Sequence, residues 1–108
     1  MPRRGEIWWV NLDPTMGSEI AKTRPCLVLS ANVLNERRRT VVIIPLSSAP
    51  LPNPPLLIPV TCQSRRVVAV IDQIRAVAKE RLQKPAGMLP AEQMEAVEQA
   101  LREILEIV

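Results

Sequence analysis

An arginine beside a proline has the clearest capacity for chemistry in this sequence. Arg24 lies in the run from Lys22 to Ser30, KTRPCLVLS. Pro25 biases the arginine towards an extended backbone and the apolar residues after it predict a strand, so we expect Arg24 at the mouth of that strand. A guanidinium makes bidentate hydrogen bonds to phosphate and keeps its charge at any working pH. Arg24 is therefore a candidate phosphate ligand; the alternative is an arginine that pairs with Asp13 or Glu19 to hold a loop.

Hydroxyl and carboxylate groups elsewhere in the chain could join this arginine. Ser47 and Ser48 follow an apolar, β-branched segment, and a hydroxyl at a strand end can donate to a phosphate oxygen. Alternatively, the two serines only turn the chain before Pro50. Glu19 lies in the segment before Arg24, where it is a candidate base or substrate-positioning residue; the alternative is a solvated loop charge.

The composition limits which chemistry is available. The sequence contains no His, Tyr or Phe, so proton transfer must do without imidazole, and stacking on a base would use a tryptophan or an arginine plane. Trp8 and Trp9 should point to opposite faces of one strand, with one in the core and the other exposed. Five carboxylates form no cluster with metal-ligand spacing: Glu6, Asp13, Glu19, Glu36 and Asp72. We therefore expect neither a metal nor a cofactor.

Positive charge is concentrated in the first 88 residues. They hold 13 Lys and Arg against six Asp and Glu, whereas residues 89–108 hold one Arg against five Glu. A basic body indicates a polyanionic partner; the alternative is charge that serves solubility alone. Within this body Lys22 is placed to contact backbone phosphates, whereas the run Arg37–Arg39 is expected to be a solvated turn.

Length and residue usage predict a single domain over residues 1–108. Residues 41–64 carry no charge but are interrupted by prolines and polar residues, so no membrane span is expected. The basic start leads into a strand pattern without a cleavage site, which argues against export. Cys26 and Cys62 are expected to be buried, reduced thiols in a cytoplasmic chain.

Alternating and β-branched segments predict a mainly β domain. The predicted strands are Glu6–Leu12, Cys26–Ala31, Thr40–Leu46, Leu56–Thr61, Arg66–Ile71 and, shorter, Ile74–Val77. Leu56–Thr61 should lie at a sheet edge, because the prolines around it remove ladder donors. Residues 13–23 form a loop that is long for so small a domain, and such loops are usually functional. Residues 32–39 form a short turn or helix.

One amphipathic helix is predicted at the end of the chain. Pro90 suits a first helical turn. Apolar residues then recur at three- and four-residue spacing: Met94, Val97, Leu101, Ile104, Leu105 and Val108. We expect this stripe to cover one face of the sheet; the alternative is a helix that docks a partner. Glu98 and Arg102 are spaced for an i,i+4 ion pair.

These segments, in this order, resemble the MazF/PemK family of toxin endoribonucleases. Members of that family pair a GDIxxVDLDPxxGSE segment with an RPxLVLS strand, and this chain has GEIWWVNLDPTMGSE at residues 5–19 and RPCLVLS at residues 24–30. IPLSS at residues 44–48 and VIDQIR at residues 70–75 continue the resemblance. It covers about two thirds of the chain, which is far more specific than any single motif.

The resemblance implies roles for individual residues. Arg24 matches the central catalytic arginine, and Glu19 matches a loop glutamate that is a candidate base. Ser47 matches a position where the family commonly has threonine; serine keeps the hydroxyl and loses the methyl that fixes its rotamer. Ser48, beside it, is a candidate RNA contact. Gln73 matches the glutamine of the family's DQ(V/I)(K/R) segment and could hydrogen-bond a base edge.

The resemblance also implies a fold, a reaction and partners. The fold is α+β, a small, strongly curved SH3-like antiparallel sheet or barrel with a packed C-terminal helix. The reaction is metal-independent, sequence-selective cleavage of single-stranded RNA, leaving a 2′,3′-cyclic phosphate and a 5′-hydroxyl. The partners are a second copy of the chain, forming a homodimer, and a cognate antitoxin with an acidic flexible segment that blocks the RNA groove.

Two other functions fit the same sequence. One is a non-catalytic toxin of the same fold that binds and poisons DNA gyrase, acting through the C-terminal helix with no need for Arg24. The other is an RNA-binding module whose catalysis is impaired. Cleavage of single-stranded RNA in EDTA separates both from the nuclease.

Overall fold

Seven antiparallel strands form the body of the computed structural model, which describes residues 1–108. In chain order the elements are β1 (Glu6–Asn11), β2 (Thr23–Val28), α1 (Asn32–Arg37), β3 (Thr40–Ser47), β4 (Leu57–Cys62), β5 (Arg65–Val70), β6 (Arg75–Ala78), β7 (Leu82–Met88) and α2 (Ala91–Leu105). Single 3₁₀ turns at Ile71–Gln73 and Lys79–Arg81 flank β6. The predicted fold class, a curved antiparallel sheet with a C-terminal helix, is confirmed.

The third strand has three neighbours, and this makes the sheet curl. Residues 40–43 of β3 pair with β6, residues 43–45 pair with β2, and Leu46 and Ser47 pair with β5. The strand order is β4-β5-β3-β2-β1-β7, with β6 beside the first half of β3. The strand predicted at an edge, β4, does lie at the end of this order.

Apolar side chains fill both faces of the curled sheet. On β2, Leu27 belongs to a core cluster of 15 buried residues, whereas Cys26 and Val28 belong to a second cluster of seven. Successive residues of a strand point to opposite faces, so a strand buried on both sides needs a continuous apolar run. The run that follows Arg24 meets that requirement.

Helix α2 covers the larger cluster and packs on β4 and the 71–73 turn. Met94, Val97 and Ala100 are buried along it. The predicted stripe extended too far, because Leu105 is half exposed and Val108 lies beyond the end of the helix. No helix of the structure is long and apolar enough to span a membrane.

The predicted ion pair within α2 was wrong. Glu98 accepts a bond from Arg4 at 2.5 Å, and Arg102 donates weakly to Gln99 at 3.4 Å. Arg4 is the better partner because its Nε is already fixed on the Leu29 carbonyl at 2.9 Å, so the guanidinium is held beside the helix.

Strand β7 was missed, and β2 begins three residues earlier than predicted. β7 contains Pro85 and Gly87, which disfavour strands in sequence reasoning. The structure places it at the outer edge beside β1, where a missing N–H donor is tolerated. The prediction that Trp8 and Trp9 point to opposite faces is confirmed, because each packs against a different core cluster. The prediction that one is in the core and the other exposed was wrong, because both are half-buried.

Candidate active site

A pocket of about 270 Å³ opens where β2 begins and β3 has just ended. Three of its lining residues are cations, Lys22, Arg24 and Arg65, and none is a carboxylate. Trp9 and Ser48 lie in the same wall. A cavity of this size is close to the lower bound of about 300 Å³ for small-molecule sites, and its charge suits an anion.

Arg24 is half-buried in this pocket, and its side chain makes only one hydrogen bond to the protein. Its Nε donates to the Ala21 carbonyl at 3.3 Å. The single ion pair of the structure joins Arg4 and Glu98, so Arg24 has no carboxylate partner, and the loop-pinning alternative with Asp13 or Glu19 does not describe its geometry. The terminal nitrogens of Arg24 are therefore free to bind an anion.

The two serines after β3 occupy different positions relative to Arg24. In the β2–β3 ladder Cys26 pairs with Pro45, and continuing that register by two residues sets Ser47 opposite Arg24. Ser48, and not Ser47, is among the residues that line the pocket. The Ser47 hydroxyl accepts a long bond from the Ala49 N–H at 3.5 Å. The ladder register therefore favours Ser47 as the hydroxyl that acts with Arg24, whereas the lining of the pocket favours Ser48.

Lys22 adopts a left-handed backbone at the base of the pocket. Its φ is +69°, a conformation that costs free energy for a residue with a Cβ and persists only where its surroundings hold it. Two bonds hold it here: the Lys22 N–H donates to Asp13 Oδ1 at 3.0 Å, and the Lys22 carbonyl accepts from the Leu12 N–H at 2.9 Å. These bonds fix where the lysine side chain leaves the loop.

Glu19 and Gln73 lie outside the residues that line the pocket, and both hold the loop between β1 and β2. Glu19 is exposed, and its Oε1 accepts the Met16 N–H at 2.6 Å. The Oε1 of Gln73 accepts the Ile20 N–H at 3.3 Å. Arg81 adds a third clamp by donating to the carbonyls of Asn11 and Asp13.

Sequence reasoning missed the residues of the β4–β5 hairpin. Gln63 and Arg65 both line the pocket. Gln63 and Ser64 form a two-residue turn with φ of +50° and +66°, the positive angles of a type I′ hairpin turn, and Cys62 pairs directly with Arg65. The available signal was the spacing of two β-rich runs by two residues, which predicts such a hairpin.

Both cysteines are buried and free, as predicted. Burial raises the pKa of the Cys26 thiol from 9.0 to about 12, although the Arg75 and Arg24 charges act in the opposite direction. Burial also raises the pKa of Cys62, whose side chain lies at the pocket wall. A thiol must ionise to act as a nucleophile, so neither cysteine is suited to covalent catalysis at neutral pH.

A curled antiparallel sheet with unpaired cations around one pocket at its strand ends defines a class of small β domain with a site suited to an anion. The model of one protein family, described as PemK-like, MazF-like toxin of type II toxin-antitoxin system, matches residues 3–105. The chain belongs to this family of toxins.

Relatives of the chain are endoribonucleases by name. It is 37% identical over 111 residues to the endoribonuclease MazF9 of Mycobacterium tuberculosis, covering 94% of each chain. It is 33% identical over 78 residues to the endoribonuclease toxin MazF of Escherichia coli, covering 72% of this chain and 69% of that one.

Solved structures of the same name share the fold. MazF from Deinococcus radiodurans superposes with a TM-score of 0.87 at 24% identity, covering 98% of this chain and 97% of the other. A mycobacterial endoribonuclease in complex with its cognate antitoxin superposes with a TM-score of 0.83 at 21% identity, covering 100% and 98%.

Proposed function

We propose that this chain is an endoribonuclease toxin that cuts single-stranded RNA at selected sequences in the cytoplasm. The observation that carries the proposal is Arg24, an arginine without a carboxylate partner in a pocket with Lys22 and a serine hydroxyl. Family membership supports it, because the named relatives are endoribonucleases. Cleavage proceeds without a metal and leaves a 2′,3′-cyclic phosphate and a 5′-hydroxyl.

The pocket supplies positive charge at the point where the reaction creates negative charge. Attack of the neighbouring 2′-hydroxyl on phosphorus builds negative charge on the phosphorane oxygens, and fixed donors aimed at that charge lower the barrier. Arg24 stabilises this transition state through its free terminal nitrogens. Ser47 or Ser48 holds a non-bridging oxygen of the scissile phosphate through its hydroxyl. Lys22 contacts an adjacent phosphate.

Glu19 is the general base or a substrate-positioning residue in this scheme. One carboxylate oxygen binds the Met16 N–H, which leaves Oε2 to accept the 2′-hydroxyl proton or to orient the substrate. Gln73 stabilises the same loop through Ile20, and contact with a base edge would require its amide nitrogen, since its oxygen is already engaged.

Cleavage of a mixed single-stranded RNA in EDTA tests the proposal. The described residues contain no group of three or more His, Cys, Asp or Glu placed to hold a metal ion, so we expect discrete fragments at an unchanged rate. The fragments should end in a 2′,3′-cyclic phosphate.

A substrate with a 2′-deoxy sugar on the 5′ side of the cut separates this mechanism from others. It should be inert, because the attacking group is missing. Cutting of that substrate would demand an external nucleophile and overturn the mechanism. Absence of any RNA fragment, with toxicity that survives Arg24→Lys, would instead favour a toxin that acts by binding a protein such as gyrase.

The proposal includes two protein partners. A second copy of the chain completes the RNA groove, and Val33 and Leu34, which are 52% and 51% exposed on α1, supply apolar surface of the kind that subunit interfaces bury. Light scattering should give the mass of a dimer. A cognate antitoxin is the second partner, which the mycobacterial endoribonuclease in complex with its cognate antitoxin supports. In this proposal an acidic flexible segment of the antitoxin covers the same groove.

Competition tests the shared groove. An acidic antitoxin peptide should raise the apparent dissociation constant of an uncleavable RNA, read by fluorescence anisotropy, because both ligands need the cations of the pocket. Simultaneous binding of both at full occupancy would show that the antitoxin acts from another surface.

A further inference from the structure

The β4–β5 hairpin carries two adjacent arginines that face different cavities. Arg65 lies opposite Cys62 in the ladder and lines the pocket of Arg24. Arg66 lies opposite Thr61 and lines a second cavity of about 210 Å³, formed with the proline-rich segment after β3, which shares only Ser48 and Val67 with the pocket of Arg24. Successive residues of a strand point to opposite faces, so one hairpin presents the same charge on its two sides.

Arg65 is positioned by the turn and the ladder of the β4–β5 hairpin. The two-residue turn at Gln63 and Ser64 fixes the pairing of Cys62 with Arg65. Cys62 is buried at 6% exposure and anchors that end of β4 in the larger core cluster. The backbone of Arg65 is therefore held by the core even though its side chain is exposed.

The charge around Arg65 is not compensated by the protein. Arg65 has no ion pair or side-chain hydrogen bond, and no carboxylate lines the pocket that it shares with Lys22 and Arg24. An exposed arginine with no partner, held on a paired hairpin in the same pocket as a second unpaired arginine, is suited to bind an anion that passes between them.

We propose that Arg65 binds a backbone phosphate of the RNA next to the scissile one, so that the strand is held between the start of β2 and the tip of the β4–β5 hairpin. This inference rests on the proposed function. Arg65 is a substrate-binding residue in this scheme, because its contact is made equally before and during the reaction. Of the two arginines, only Arg24 faces the charge that develops at the transition state.

Substitutions of Arg24 and of Arg65 should therefore change different kinetic constants. Loss of a contact that is equal in ground and transition states raises KM and leaves kcat unchanged, whereas loss of a contact made only in the transition state lowers kcat. Arg65→Gln should raise KM by about tenfold, the usual size of one charge-assisted hydrogen bond, with kcat retained.

Arg66→Gln is the matched control, since it removes the same charge one residue away on the other face of the hairpin. Binding is measured with a fluorescein-labelled single-stranded RNA carrying 2′-O-methyl groups at every sugar, which cannot undergo 2′-hydroxyl attack. We expect Arg65→Gln to weaken binding about tenfold and to make the slope of log K against log salt shallower by about 0.7. Arg66→Gln should keep the parent slope, and thermal unfolding should be the same for both variants.

The outcomes separate this inference from the proposed function. Equal effects of Arg65→Gln and Arg66→Gln on binding would reduce the effect to net charge and overturn the role of Arg65. A kcat loss with unchanged KM in Arg65→Gln would also overturn it. If the parent chain binds the methylated RNA through Arg65 but cuts no RNA, the nuclease proposal fails and the phosphate contact stands; a parent chain that binds no RNA overturns both.

Discussion

The two ends of the β1–β2 ribbon use arginine in opposite ways. At one end Arg4 donates to the Leu29 carbonyl at 2.9 Å and to Glu98 at 2.5 Å, and its backbone N–H donates to Asn32 Oδ1 at 2.7 Å. At the other end Arg24 makes a single bond of 3.3 Å to a backbone carbonyl. The comparison shows that partners, and not charge, distinguish an arginine that holds the fold from one available to a ligand.

The same contrast extends to the neighbouring side chains. Near Arg4, Asn35 is fully buried and bonded to both the hydroxyl and the carbonyl of Ser30, whose hydroxyl also accepts the Val42 N–H at 3.0 Å. Near Arg24, the lining cations have no anionic partner in the protein. Polar groups are satisfied internally at the first end and left for solvent or a ligand at the second.

The largest expected effect comes from replacing each arginine by lysine, which keeps the charge and removes the planar fork. Arg24→Lys should cost about 2–4 kcal/mol of transition-state stabilisation, by analogy with loss of one oxyanion donor, and should leave the unfolding temperature unchanged. Cleavage rates under single-turnover conditions give the first quantity and calorimetry the second.

Arg4→Lys is the control for that experiment. It should lower the free energy of unfolding by about 1 kcal/mol, through loss of the bond to Leu29, and keep the rate of cleavage per folded molecule. Activity of Arg24→Lys within twofold of the parent would remove Arg24 from the centre of the mechanism.

Asn35→Ala tests the end of the ribbon that holds the fold. The substitution removes both hydrogen bonds between the buried Asn35 side chain and Ser30, so the free energy of unfolding should fall by about 1–3 kcal/mol. Urea denaturation with an unchanged m-value measures the loss. RNA cleavage at a temperature where the variant remains folded should match the parent, and a large drop in kcat would show that the two ends are coupled.

Ser47→Ala and Ser48→Ala decide which hydroxyl serves the site. Loss of a single donor to phosphate should reduce kcat/KM by about tenfold or somewhat more. A larger loss in Ser47→Ala supports the register of β3 against β2, and Ser47→Thr should then be neutral or beneficial. A larger loss in Ser48→Ala supports the pocket wall and shifts the family alignment by one residue.

Alkaline pH gives the smallest effect, through Cys26. Its pKa is about 12 in the folded chain against 9.0 for an unperturbed thiol. Below pH 9 both states hold the proton; above it the unfolded chain binds fewer protons than the folded one, so stability falls as pH rises towards 12. The loss should be about 1 kcal/mol over the first pH unit above 9. Cys26→Ala should show a correspondingly flatter decline between pH 9 and 10, and an identical slope would contradict a protonated buried thiol.

Much of the sheet could be predicted because its strands carry their own signals. Thr40–Ser47 and Arg65–Val70 are β-branched runs, and both were placed within one residue of their observed ends. Strand β7 could not be found this way. Pro85 and Gly87 disfavour a strand in the sequence pattern, and the segment is a strand because it pairs with β1.

The candidate site was predictable only in part, for a related reason. Arg24 was found from Pro25 and the apolar run after it, which are local features. Arg65 reaches the same pocket from the other side of the sheet, because β5 pairs with the end of β3, and no local pattern marks that proximity. The hydrogen bond from Ile20 to Gln73 joins residues 53 positions apart and is equally invisible in sequence.

Strand β3 pairs with β2, β5 and β6. It therefore stays hydrogen-bonded to two neighbours when any one of the three detaches from the sheet. Its amide protons should exchange with solvent only when the whole domain unfolds, whereas β4, which pairs on one side only, should open in smaller fluctuations. Ser47, the last residue of β3, would then lie on the slowest-exchanging strand of the protein, whereas Arg65 lies on β5 beside the strand that opens first.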